Sequence, residues 1–137
     1  MTVPGDILWQ ANPAQRAELN ISKFIAWLSL RGHSFNGYQD LFNWSVSDQA
    51  GFWAAIADYF EVIMEGECKA VMSAEPMPRT RWFVGTRMNY AEHVLRHENT
   101  GDPTRVMLHH GSELRPFTTM SWVDVGTAVR KLATRLR

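Results

Sequence analysis

The apolar residues of this 137-residue chain change their spacing twice along its length. Up to about residue 63 they recur at steps of three and four. From about 104 to 120 they fall into two short strand-like runs, and after Ser121 the step of three and four returns. Periods of 3.6 and 2 select helix and strand respectively. The chain is therefore read as α+β: a mostly helical N-terminal part, then a β-hairpin and an amphipathic helix.

The first helix has a written start. Asn12 suits the N-cap, Pro13 the first helical position and Gln15 the partner position of a capping box. Ala14, Ala17, Ile21, Phe24, Ile25 and Leu28 then form one stripe, with Gln15, Arg16, Glu18 and Lys23 off it. Gly32 is placed to end the helix, and the polar pair Asn20 and Ser22 allows a break into two helices. Tyr38 to Trp44 reads as a short helix or turn. Ser45 or Ser47 is expected to cap a further helix with Asp48 in its first turn. Phe52, Trp53, Ile56, Tyr59, Phe60 and Ile63 give that helix a broad apolar face. Gly51 within it lowers helix propensity by about 1 kcal/mol against Ala, so a packing reason for it is expected.

Residues 64–87 read as irregular. Pro76 and Pro78 each remove a backbone donor and restrict the residue before them, so no regular helix runs through. A helix is expected over about 88–97, with Met88, Ala91, Val94 and Leu95 on one face. Thr104 to His110 and Arg115 to Met120 read as paired strands around a turn at Gly111 to Leu114. Pro116 must then lie at an edge or near a strand start. Ser121, with Asp124 three residues on, caps a last helix whose stripe is Trp122, Val125, Val129, Leu132 and Leu136. A two-stranded hairpin is marginal by itself, so this end is expected to be completed by something else.

Charge narrows the function classes. Lys plus Arg and Asp plus Glu are equal at 14 each, whereas a nucleic-acid binder carries a basic excess. The balance is uneven along the chain: residues 1–75 carry 4 basic and 9 acidic side chains, and residues 76–137 carry 10 and 5. Such a split suits two segments packing on each other or on a partner, and equally suits solvated faces. Cys68 is the one cysteine, so no disulfide forms within the chain. The N-terminus lacks the basic start and apolar run of a signal peptide, and no apolar run reaches the ~18–20 residues of a membrane span. A soluble, cytoplasmic protein that binds neither nucleic acid nor membrane is expected. Six Trp in a chain that is 45% hydrophobic predict several aromatic anchors.

Catalytic patterns are sparse. His93 and His97 stand four apart on a predicted helix, so both rings are able to face one ion; Cys68 or the His109-His110 pair would have to supply a third ligand, and neither has the spacing of a known motif. Their alternative is solvated surface histidines. There is no Gly-x-Ser-x-Gly elbow and no glycine-rich phosphate loop, and Gly85 reads as a turn glycine. Arg79, Arg81 and Arg87 around Trp82 and Phe83 suit a polyanion with an aromatic platform. The competing reading has the two aromatics anchoring an irregular segment while the arginines pair with acidic neighbours. No catalytic, cofactor-binding or metal-ligating residue is assigned.

The order of particular residues says more. Ile7-Leu8-Trp9 precedes Asn12-Pro13, then come Tyr38-Gln39-Asp40-Leu41-Phe42-Asn43-Trp44-Ser45-Val46 and Phe52-Trp53, and later Pro76-Met77-Pro78 and Trp82-Phe83-Val84-Gly85-Thr86-Arg87-Met88-Asn89-Tyr90-Ala91-Glu92. This succession resembles the N-terminal region of the acetyl-CoA-synthetase-type adenylate-forming enzymes, and within them the acetoacetyl-CoA synthetase (acetoacetate–CoA ligase) family, over nearly the whole chain. Trp44, Trp53, Trp82, Phe83, Gly85, Asn89 and Tyr90 are its motif and packing positions. Val84 stands where those enzymes often have Pro, and Arg79 where Gly is common.

The resemblance implies a helical N-terminal domain over 1–87 and, over 88–137, the start of an incomplete AMP-binding (adenylation) domain. A full-length member would join acetoacetate to CoA with ATP and Mg²⁺, through an acyl-adenylate. The ATP-gripping loop, the ribose-binding acidic motif and the C-terminal lysine domain of the family are not in this sequence. The resemblance thus implies a structural, non-catalytic role that binds no cofactor by itself. Its partner would be the remainder of the adenylation domain, with a homo-oligomer also possible. The alternative is a free-standing helical interaction or regulatory module of the same descent.

Overall fold

In the computed structural model, which describes residues 9–136, Asn12 opens the first helix in the expected way. Its Oδ1 accepts the N–H of Gln15 at 2.8 Å, and its own N–H donates to Gln15 Oε1 at 3.0 Å. Helix α1 (Pro13–Glu18) stops at Leu19, which is extended, and α2 (Asn20–Ser29) begins directly after it. The break falls at the polar pair that permitted it. Gly32 closes α2: its N–H donates to Ser29 O at 3.2 Å and the N–H of His33 to Leu28 O at 3.2 Å. These are the two bonds of a Schellman turn, and Gly32 sits at φ 88 in its left-handed position.

α3 (Tyr38–Ser47) is longer than the short helix or turn expected, and it absorbs Ser45 and Ser47. Their hydroxyls donate back to Phe42 O and Trp44 O, so neither caps the next helix. Asp48 does: its Oδ1 accepts the N–H of Gly51 at 2.9 Å at the start of α4 (Gln49–Tyr59). The cap explains Gly51, since a Cβ there would press on the Asp48 carboxylate, with Cγ at 2.8 Å. Ile63 lies beyond the end of α4.

The stretch read as irregular holds two short strands. β1 (Ala70–Met72) pairs antiparallel with β2 (Trp82–Val84), Ala70 opposite Val84 and Met72 opposite Trp82. Three-residue strands leave too short a period to be read, and the prolines lie in the connection between them. α5 (Tyr90–Leu95) is capped by Asn89 and tightens into a 3₁₀ turn over Arg96–Asn99. β3 (Val106–Ser112) and β4 (Arg115–Ser121) form the expected hairpin, with Leu108 opposite Met120 and His109 opposite Thr119. β3 runs through Gly111 and Ser112, so the turn is shorter than expected. α6 (Trp122–Leu136) starts with Ser121 and Asp124 capping one another: Ser121 N–H donates to Asp124 Oδ2 at 3.1 Å, and Asp124 N–H to Ser121 Oγ at 3.2 Å.

These elements group into two units, residues 9–62 with 66–86 and residues 63–65 with 87–136. In the first, Phe24, Leu28 and Leu41 are the buried core. Aromatic rings close around it: Phe24 lies 5.0 Å from Tyr59 and 6.3 Å from Phe52, and Trp44 lies 5.7 Å from Phe52.

In the second unit Glu98 crosses α6 at the buried Gly126 and forks onto Arg130, with oxygen–nitrogen distances of 2.7 and 2.8 Å. A Cβ at 126 would meet Glu98 Cδ at 2.6 Å, so glycine leaves the lane this carboxylate occupies. The hydrogen bond from Arg130 holds Glu98 below its ordinary value of 4.5. A carboxyl lowered on folding stabilises the fold above its unfolded value and loses that effect as pH falls through the folded one. Arg130→Met should therefore lower the melting temperature by its full amount at pH 6, and the gap to wild type should close as pH is taken down from 4.5. A gap unchanged over that range in calorimetry would show that charge is not what the pair contributes.

Candidate docking surface

The motif tryptophans sit on the first unit and bind its layers together. Trp44 Nε1 donates to Asp48 Oδ2 at 3.3 Å, so the carboxylate that caps α4 also fixes this indole. His33 and Phe35 pack on the same ring, with centroids 4.9 and 5.3 Å away. Trp53 meets Trp82 edge-on at 5.9 Å, which ties α4 to β2, and both remain part exposed at 44% and 37%.

Phe83 and Gly85 shape the end of β2. Phe83 has φ 46, uncommon for an aromatic residue, and its carbonyl accepts both the N–H of Thr86 at 3.0 Å and the Thr86 hydroxyl at 2.8 Å. Gly85, at φ 95, is a turn glycine as read, and it lies hard against the backbone at Glu67. The remaining two motif residues belong to the second unit. Asn89 caps α5, its Oδ1 accepting the N–H of Glu92 at 3.3 Å, and Tyr90 is exposed.

Two adjoining apolar hollows open on the helical unit. One, of about 180 Å³, lies among Tyr38, Leu41, Phe42 and Phe52; the other, of about 300 Å³, lies against Tyr59 and Phe60. Ile21, Phe24 and Ile56 line both, and no charged side chain lines either. With Tyr38, Phe42 and Phe60 exposed, this surface suits an apolar protein face better than a charged metabolite. A smaller polar hollow of about 210 Å³ in the second unit is bounded by Glu65, Arg87, Asn89 and Glu92.

The other sequence candidates take structural places. His93 Nδ1 accepts the N–H of Ile63 at 3.3 Å, and His97 lies against Trp122 at 5.8 Å. Among the described residues no three His, Cys, Asp or Glu side chains converge on a metal position. Cys68 is an exposed free thiol. Arg81 pairs with Glu75 at 3.3 Å, in line with the reading of arginines facing acidic neighbours. Among the described residues no helix is long and apolar enough to cross a membrane. Sequence reading missed the Asp48 cap, for which the residue type and the glycine three positions later were the available signal. It also missed the crossing of Glu98 over Gly126, for which there was none.

The class is set by residues 38–94, which match the acetyl-coenzyme A synthetase N-terminus family. The chain is 31% identical over 118 residues, 85% of its own length and 18% of the relative's, to the acetoacetyl-coenzyme A synthetase of Rhizobium meliloti (strain 1021). It is 30% identical over 93 residues, 66% of its length and 13% of the relative's, to malonamoyl-CoA synthetase vrtB of Penicillium aethiopicum. In fold it is similar to acetoacetyl-CoA synthetase from Streptomyces lividans, with a TM-score of 0.82 and 31% identity over 94% of this chain and 20% of that one. Sequence and α+β fold together place the chain with the N-terminal region of the acetoacetyl-CoA synthetase family. It spans about a fifth of the length of those relatives.

Proposed function

We propose that this chain is the N-terminal structural portion of an acyl-CoA ligase that, at full length, converts acetoacetate, ATP and CoA to acetoacetyl-CoA, AMP and pyrophosphate. The observation that carries this reading is the agreement with the Streptomyces synthetase in both fold and sequence over 94% of the chain. Residues 1–87 are its helical domain and 88–137 the opening of its adenylation domain. The chain supplies scaffold surface rather than chemistry. ATP, Mg²⁺ and CoA are handled by the remainder of the adenylation domain, and the setting is cytoplasmic. The exposed rings of Tyr38, Phe42 and Phe60 support a docking role.

The test uses the purified chain with ATP, Mg²⁺, acetoacetate and CoA. No AMP should be released. Adding a synthetase relative that lacks its own matching N-terminal fifth should give a complex and restore AMP release. Turnover by the chain alone, or no association with the shortened relative, overturns the reading.

A further inference from the structure

The hairpin of the second unit is a sheet of two strands, so each strand keeps one edge without a strand neighbour among the described residues. The two edges are unlike. β4 begins Arg115-Pro116, a charge and a residue without an N–H, and these are the devices by which an edge is blunted against pairing. β3 reads Val-Met-Leu-His-His-Gly-Ser and holds no Asp, Glu, Lys, Arg or Pro in seven residues. Val106 and Leu108 are each more than 40% exposed.

We propose that β3 is a self-pairing edge, and that two copies of this chain join through it as an antiparallel β3–β3 dimer. The missing charge argues for a second copy as occupant, because identical strands set side by side bring no like-charge repulsion. Antiparallel neighbours are related by a two-fold axis perpendicular to the sheet. An axis through His109, the middle of β3, sets Leu108 of one copy opposite His110 of the other. It makes a four-stranded sheet in the order β4-β3-β3-β4 and keeps both α6 helices on one face. The blunted β4 edges then lie outermost, so the assembly closes at two copies instead of growing as a filament. This inference stands apart from the ligase reading: a monomer overturns it and leaves that reading intact.

The experiment is light scattering across a concentration series of the full chain, with amide hydrogen exchange at the two ends of the series. A monomer–dimer equilibrium is expected, with β3 amides slowing as concentration rises and those of α2 to α4 unchanged. His109→Lys puts two ammonium groups opposite each other at the axis and should weaken the dimer about tenfold or more. Thr118→Lys, on β4, should leave it as in wild type. A monomer throughout, open-ended growth, or protection that rises in the helical unit and not in β3 each overturns the proposal. Because the exchange is read on the unmodified chain, the result stands even if a variant fails to fold.

Discussion

Replacing Leu28 by Ala should unfold most of the tertiary structure of the helical unit. Leu28 is fully buried, and the only other core residues there below 9% exposure among those described are Phe24 and Leu41, at 5% and 2%. Leucine-to-alanine changes at such sites cost about 3–5 kcal/mol, the lost transfer energy plus the cavity left behind. Whole domains are stable by only about 5–15 kcal/mol, and a core of three side chains belongs near the lower end. The rings of Phe24, Trp27 and Tyr59 hold one another at 5–6 Å through fixed faces, so they are poorly placed to fill a gap. A fall in melting temperature of roughly 10 °C or more follows. Leu30, two residues on and 86% exposed, is the control; its alanine variant should change stability by less than about 0.5 kcal/mol. Thermal circular dichroism decides: equal effects of the two variants would mean that the core lies elsewhere.

What could be read in advance follows from the range of the interaction concerned. The Asn12 capping box, the Gly32 turn and the Ser121–Asp124 cap are made by residues three to five apart, and each is written in a few adjacent letters. The hairpin of β3 and β4 is legible because seven-residue strands show their period. β1 and β2 show none, since three residues cannot establish an alternation, and their pairing spans the Pro76-Met77-Pro78 connection. The Asp48 cap was assigned to its serine neighbours because Ser, Ser and Asp are all good caps. Only the length of α3 chooses among them.

The candidate surface was legible as residue types and not as geometry. Trp44, Trp53 and Trp82 stood out by rarity, but the Trp53–Trp82 contact joins positions 29 apart in sequence. His93 and His97 had the spacing of a ligand pair. The structure gives them a backbone N–H and an indole as neighbours, contacts that depend on where Ile63 and Trp122 fall in space. The large apolar side chains left exposed, Tyr38, Phe42 and Phe60 among them, share one physical reading. A surface of that kind is stable in water mainly when another surface covers it.

Gly85→Ala should break the β1–β2 pair while leaving the helices of the same unit folded. Two costs fall together at this position. Its φ of 95 lies where an L-residue is disfavoured by about 1–2 kcal/mol. A Cβ there would also meet Glu67 O at 2.5 Å, a backbone carbonyl that moves only if the segment entering β1 moves with it. That segment is held in turn by the Lys69 N–H donating to Val84 O at 2.8 Å, one residue before the glycine. The new methyl group therefore pushes apart the strands that this bond joins. Gly32→Ala separates the two costs, because Gly32 has φ 88 and nothing within 4 Å of a Cβ. It should lose only the backbone term, about 1–2 kcal/mol. The excess for Gly85→Ala measures the carbonyl contact. It should appear as fast amide exchange at Ala70, Met72, Trp82 and Val84 and as a red-shifted Trp82 emission, with far-ultraviolet helix signal retained. If the two alanine variants melt together and β1 stays protected in both, the close approach of Gly85 to Glu67 does not hold this sheet in register.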